Sequence, residues 1–472
     1  MGKILGYYLM PHPPIIVPEV GKGEEKKIEK TFKACMEIGE EVKKVAPDTV
    51  IIITPHGPMF NDAVALLAED SIEGDLSKFR ATGVEMKFKI DLELVNSIIS
   101  YATEYKVAVV PANTQLLESF QRKYELDHGA IVPLYFLTKK YKQFKLVHIT
   151  YGMLSDIELY KLGMAIRQSV EVGNHNVVLI ASGDLSHRLK DEGPYSYSSY
   201  GKEFDEKLLG LLSNGNVTGV FELDRKLIRE AGECGLRSIY IMLGSMNGYE
   251  IKGEVLSYEG TLGVGYGVMK FNITKCQRDT LRELLDLKNK KYSERVESSD
   301  TYVRLARKSI VYYFLNGKAM EVPDNLPEEM KKIKRGAFVS IKKHGELRGC
   351  IGTIYPVTSS IGEEIIKNSL AAAFDDPRFS PLRESELLDI DISVDVLTAP
   401  EKTSKKELDP KRYGVIVSMG SRRGLLLPDL EGVDTVERQL FIALRKGNIS
   451  PTEDYTIERF EVMRHKEEGS YE

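Results

Sequence analysis

Short apolar, β-branched runs alternate with longer stretches of helical spacing through the first 271 residues. Residues 4–9, 49–54, 107–110, 145–150 and 177–181 read as buried strands, each ending near Pro, Gly or Asp. Between them, residues 24–45, 91–105, 156–170 and 199–212 repeat apolar side chains at three- and four-residue intervals, which predicts amphipathic helices. Strand and helix alternating in this way predict an α/β domain with a largely parallel or mixed central sheet, closed by a hairpin or strand pair at 250–257 and 263–271.

The pattern then changes. Residues 272–297 turn polar and charge-rich, and read as a helix running into a linker. From Asp300 a new amphipathic helix (302–315) is followed by strand candidates at 336–341, 349–354, 390–397, 414–419 and 423–427. Residues 298–466 therefore form a second domain of α+β class.

Composition narrows the function classes. The 472 residues are 42% hydrophobic and 29% charged, ordinary globular usage that excludes wholesale disorder and fibrous repeats. Lys and Arg number 65 against 70 Asp and Glu, and residues 1–271 carry 31 against 36, so neither half is a basic platform and a nucleic-acid partner is not expected. The four cysteines, Cys35, Cys234, Cys276 and Cys350, form no CxxC pair, which argues against a disulfide scaffold or zinc ribbon and for a reducing cytoplasm. No run approaches the ~18 apolar residues of a membrane span. The apolar stretch at 4–10 is too short for a signal peptide and position 6 is Gly, so the myristoylation pattern fails.

The eight histidines carry the chemistry. His12, His56, His128 and His187 each follow an apolar segment and sit among turn residues: Met10-Pro-His-Pro-Pro, Thr54-Pro-His-Gly-Pro, Leu126-Asp-His-Gly and Ser182-Gly-Asp-Leu-Ser-His. Open α/β sheets bind ligands beyond the carboxyl ends of their strands, so histidines placed there can converge on one site and, with a carboxylate, hold a divalent transition metal. A single histidine after a strand is more often a structural turn residue; four in equivalent settings sharply reduce the weight of that reading. His148, His175, His344 and His465 lack this setting and read as structural or solvent-facing. The glycine-rich stretch 260–267 lacks GxGxxG spacing and reads as close packing or strand bulges.

The ordered series His12-Pro, Pro55-His56-Gly, Asp127-His128-Gly and Gly183-Asp-Leu-Ser-His187, followed by Gly232-Glu-Cys-Gly235, resembles the LigB-like class III extradiol ring-cleavage dioxygenases and their non-dioxygenase relative Memo. The resemblance covers essentially residues 1–271. It implies that His12 and His56 are metal ligands and that Glu233 completes a facial triad on Fe(II), with open positions for O₂ and a small aromatic diol. His187 would be the acid/base, His128 would hydrogen-bond substrate or oxygen, and Asp184 would orient a nearby imidazole. Memo-like relatives have a Cys-Gly pair in this region, which makes Cys234 the alternative ligand. Neighbouring residues diverge by about 100° on a helix, so one of the two faces the metal. Glu233 inward suits Fe(II), and Cys234 inward suits copper or zinc; on ligand type Glu233 is preferred.

In the second domain, Glu346-Leu-Arg-Gly-Cys-Ile-Gly352 and Asn368-Ser-Leu-Ala-Ala-Ala-Phe-Asp-Asp-Pro-Arg-Phe379 resemble the AMMECR family, whose biochemical activity is not established. Arg348, Cys350, Asp376 and Arg378 are the residues there with chemistry. They read first as a packed strand cysteine beside a structural Arg-Asp pair; a nucleophilic or redox thiol, or an anion site between the two guanidiniums, are the alternatives. Both domains together resemble the fused AmmeMemoRadiSam proteins. The chain has no Cys-x₃-Cys-x₂-Cys motif, so radical-SAM chemistry would come from a partner protein. A homo-oligomer in the cytoplasm, with no membrane partner, completes the expectation.

Overall fold

The computed structural model describes residues 2–191, 195–276, 278–343, 345–430 and 432–467. The chain divides into two compact units, Met1–Leu287 and Lys288–Glu472. The division falls inside one helix, Thr280–Ser298.

In the first unit the strands are β1 (Lys3–Met10), β2 (Thr49–Thr54), β3 (Val64–Leu67), β4 (Ser71–Leu76), β5 (Ala81–Lys89), β6 (Val109–Ala112), β7 (Lys145–Thr150), β8 (Asn176–Ser182), β9 (Tyr249–Glu259) and β10 (Tyr266–Lys275). Eight of them make one sheet in the order β6-β3-β7-β2-β8-β1-β10-β9. Its middle, β7-β2-β8-β1, is parallel throughout. The closing hairpin β9-β10 joins β1 antiparallel, and β3 joins β7 antiparallel at the other side. The sheet is thus mixed around a parallel centre.

Sequence pattern explains the centre. All six residues of β2 are buried, and β7 and β8 are buried beyond their first residue, as strands covered on both faces must be. Helices Glu29–Val45, Leu92–Glu104, Asp156–Val172 and Leu236–Ser245 supply the cover. The helix Asp156–Val172 starts at a reciprocal capping box between Ser155 and Glu158. Parallel strands all end on one side of a sheet, which gathers the turns after β1, β2 and β8.

The second unit holds β11 (Ala337–Lys343), β12 (Glu346–Gly352), β13 (Ile390–Leu397), β14 (Glu401–Lys402), β15 (Gly414–Met419), β16 (Arg422–Leu426), β17 (Thr456–Phe460) and β18 (Val462–Lys466). They form two antiparallel four-stranded sheets, β12-β11-β13-β18 and β14-β17-β15-β16, with helices Thr301–Asn316, Ile361–Leu370 and Val436–Lys446. This is the α+β arrangement. A buried fork closes it: Arg307 donates from Nε and Nη2 to the two oxygens of Glu467 at 2.7 and 2.9 Å. No helix among the described residues is long and apolar enough to cross a membrane.

Candidate metal centre

Four histidines from the ends of different elements meet on the sheet edge of the first unit. His12 lies two residues past β1 and is buried; His56 lies two past β2 and is exposed; His128 opens the helix His128–Thr138 and is half-buried. The ligand nitrogens of these three lie within 4.8 Å of one another. His12 Nε2 and His56 Nε2 are 3.0 Å apart, and the His56 and His128 rings stack at 4.2 Å. Phe79 packs edge-on to His128.

The tautomer of His12 follows from its partner. Ser182, the last residue of β8, donates its one hydroxyl proton to the carbonyl of Gly129 at 2.5 Å, so at 2.9 Å it accepts from His12 Nδ1. The proton therefore sits on Nδ1, and the Nε2 lone pair faces the cluster, as ligation requires. Sequence reading missed Ser182. The signal was available, since a polar residue ending an otherwise apolar strand needs a partner.

Asp184 does not orient an imidazole ring directly. Its Oδ1 accepts the backbone N–H of His12 at 2.8 Å, so it fixes the main chain and Ser182 fixes the ring. Burial raises the Asp184 carboxyl to about 6, with the His12 N–H working the other way. His187 follows on the same loop, stacked on Tyr195 at 5.4 Å.

Of the adjacent pair in Gly232-Glu-Cys-Gly235, the thiol faces the histidines. Cys234 Sγ lies 3.6 Å from His12 Nε2 and 3.7 Å from His187 Nε2. Glu233 instead turns to the helix Leu236–Ser245 and accepts the N–H of Leu236 at 2.6 Å, capping its free first-turn donors. In this structure the Cys234 sulfur, and not the preferred Glu233 carboxylate, is the group lying beside the imidazoles. The close approach is local: a Cβ on Gly183 would lie 2.1 Å from the Cα of Gly235, and a Cβ on Gly235 would lie 3.1 Å from the Asp184 carbonyl oxygen. The two glycines let the loop of Asp184 and the turn of Cys234 touch, and the Asp184 N–H reaches Cys234 Sγ at 3.3 Å. Tyr151 adds a second tie, donating to the Cys234 carbonyl at 3.0 Å.

Electrostatics favour neutral donors. Burial, assisted by the charges of the neighbouring imidazoles, holds His12 well below its ordinary value and His128 at about 3. Desolvation likewise lowers His56 and His187, opposed by nearby carboxylates. Burial pushes the Cys234 thiol up, as do Asp184 and Glu233. A thiol so placed keeps its proton until a cation replaces it.

The three imidazoles are spaced closely enough to share a metal ion, and Cys234 lies beside one of them, His12. Tetrahedral zinc with nitrogen at about 2.0 Å and sulfur at about 2.3 Å has N···N edges of about 3.3 Å and N···S edges of about 3.5 Å. The corresponding spacings are 3.0 Å for His12 to His56 and 3.6 Å for His12 to Cys234. Imidazoles with one thiol make a soft, nitrogen-rich set, suited to zinc or copper.

In the second unit the four residues with chemistry do not converge on a ligand. Arg378 pairs in bidentate fashion with Asp376 at 2.9 and 2.7 Å and donates to the Cys350 carbonyl, while Asp376 accepts the Cys350 N–H at 2.9 Å. Arg348 goes elsewhere, to Glu386 and to the carbonyls of Ser380 and Pro381. Burial works against it, yet Arg348 and Lys343 hold the Glu386 carboxyl down at about 2. Each guanidinium is thus occupied by a carboxylate, which leaves no paired anion site. Cys350 accepts from Ser340 on the neighbouring strand at 3.2 Å. The Glu346–Gly352 motif and the Asp376-Pro-Arg segment brace one strand against a π turn, Ala371–Asp375. His344 lies outside the described residues.

Known proteins place this geometry in a family. A family model described as the catalytic LigB subunit of aromatic ring-opening dioxygenase matches residues 6–269, a span that includes every donor above. The chain belongs to the LigB family. The AMMECR1 family model matches residues 303–465, so this LigB-family member carries an AMMECR1 domain behind its first unit. A protein of Clostridium acetobutylicum is 53% identical over 463 residues, 98% of this chain and 99% of its own length. A Thermotoga maritima protein is 51% identical over 168 residues, 35% of this chain and 97% of its own. Among solved structures, an uncharacterised protein from Pyrococcus horikoshii is 33% identical, covering 36% of this chain and 92% of its own with a TM-score of 0.34. One from Escherichia coli K12 is 12% identical, covering 56% and 98%, with a TM-score of 0.35.

Proposed function

We propose that the first unit of this LigB-family chain is a Memo-like site that binds copper or zinc through His12, His56 and Cys234, with His128 at its flank. The placement of Cys234 carries the reading: its sulfur faces two imidazoles while the adjacent carboxylate caps a helix. A cation bound there supplies Lewis acidity and lowers the pKa of a water or thiol it coordinates. His187, neutral and 3.7 Å from the sulfur, is the group placed to accept or return a proton. Ser182 and Asp184 hold His12 for its task. The radical-SAM chemistry of such systems would be supplied by a separate partner protein, with the AMMECR1 domain as the recognition element.

The test is metal content of protein purified without added metal, followed by competitive chelator titration. Copper or zinc near one per chain is the expected result. Cys234→Ser should weaken binding by about 10-fold or more, in the range seen when a metal site loses a supporting group, and Glu233→Gln should leave it within about 2-fold. The reverse ranking overturns the reading.

A second reading, an Fe(II)-dependent extradiol dioxygenase acting on a catechol-like diol and O₂, is favoured by the matched family description itself. In it His187 takes a diol hydroxyl proton. Anaerobic Fe(II) loading and oxygen uptake against a catechol panel test it; His187→Ala should then keep its metal and lose about 10² or more in rate. Metal retained with no uptake for any diol counts against it.

A further inference from the structure

Two residues outside the donor set link the elements that carry the imidazoles. His148 stands in the middle of β7, fully buried between apolar neighbours, where a polar ring is costly unless bonded. Its Nε2 meets Asp127 Oδ2 at 2.8 Å, and its Nδ1 has no hydrogen-bond partner among the described residues. The Nε2 proton therefore serves one acceptor, and the side chain acts on Asp127 alone.

Asp127 is a hub. Its Oδ1 accepts the Thr54 hydroxyl at 2.6 Å and the Ala130 N–H at 3.2 Å, the second bond capping the helix that His128 opens. Thr54 Oγ1 in turn accepts the backbone N–H of His56 at 3.2 Å. One carboxylate thus reaches His56 through Thr54, and His128 through the helix start. Those two rings stack on each other, so a displacement of either is felt by both.

We infer that His148 and Asp127 form the positioning device of the metal centre, with His148 fixing Asp127 and Asp127 fixing the main chain at His56 and at the helix start of His128, and through it their rings. Neither touches the cation site itself. The inference rests on the metal-binding reading for its role, and on hydrogen bonds alone for its geometry. Groups that orient metal ligands from behind commonly set affinity by 10- to 100-fold.

The experiment uses the full chain with His148→Leu, which removes the donor, and His148→Gln, which restores an N–H to the same acceptor. Zinc affinity is measured by competitive chelator titration, and the imidazole ¹⁵N resonances of His56 and His128 are measured in metal-free protein. His148→Leu should weaken zinc by about 10- to 100-fold and move both sets of ring resonances, with His148→Gln recovering most of both. Thr54→Val, which cuts one branch of the hub, should move His56 more than His128 and serves if His148→Leu does not fold. Folded His148→Leu or Thr54→Val protein with unmoved rings overturns the inference, whatever its metal content. Moved rings in a chain whose parent takes up no zinc would retain the positioning device and sink the metal-binding reading instead.

Discussion

Asp205 sits beneath the loop that bears His187, fully buried, accepting the Ser186 N–H at 2.8 Å and the Tyr258 hydroxyl at 2.7 Å. Burial pushes its carboxyl up to about 7, against those two donors. An unfolded aspartate titrates near 3.9, so between about pH 4 and 7 the folded chain binds more protons than the unfolded one. The stabilisation from this group is complete below about pH 4 and is lost as pH rises through about 7, by on the order of 4 kcal/mol. Asp205→Asn, which keeps an acceptor for Ser186, should flatten that fall relative to the parent in urea unfolding series from pH 4 to 8. Equal slopes for parent and variant would place the titration elsewhere. At the same scale, His12, His56, His128 and His187 were legible in the sequence because each follows an apolar segment and sits among turn residues. The choice between Glu233 and Cys234 was not, since it depends on which of two neighbours the turn before Leu236 points inward. His148 was read only as structural or solvent-facing, because its tie to Asp127 is made between segments and its strand neighbours Val147 and Ile149 are apolar.

At the level of elements, β12 shows how tightly a short motif can be constrained. A Cβ at Gly349 would lie 2.1 Å from the carbonyl oxygen of Ala372 in the π turn. Gly349→Ala should therefore destabilise the second unit by roughly 1 to 3 kcal/mol, the usual cost of overpacking, while zinc titration of the first unit is unchanged. Differential scanning calorimetry, which resolves separate transitions, checks the first half of that expectation. Strands β2, β7, β13 and β15 coincide with their sequence-predicted bounds, because each is a β-branched run buried along most of its length. Others were hidden for physical reasons. The helix His128–Thr138 is buried all round and contains Pro133, so no apolar stripe marks it. Strands β14, β17 and β18 are charged and partly exposed, and are made strands by pairing rather than by apolarity. β12 starts three residues before its predicted position because its limits follow its register on β11.

Across the whole molecule, each unit keeps a core of its own: one large cluster in the first, running from Tyr7 to Leu284, and three smaller ones in the second. The class of both units was readable from the order of runs along the chain, since alternation and segregation of strand and helix lead to different layerings. What could not be read was how the sheet joins parallel and antiparallel neighbours, because pairing partners are chosen between distant segments. The metal donors have the same property. His12 and His56 are 44 residues apart in sequence, and His12 and Cys234 are 222. Closing such loops costs entropy that only the finished sheet repays, so an ion cannot gather these ligands in a chain that has yet to fold. On the metal-binding reading, uptake would then be the last event in the life of the nascent protein. Refolding rates should be the same with and without zinc, and chelation should leave the far-ultraviolet dichroism intact, lowering the melting temperature only by the binding linkage. In a zinc finger the metal is a condition for having a fold; here it would certify that one has been completed.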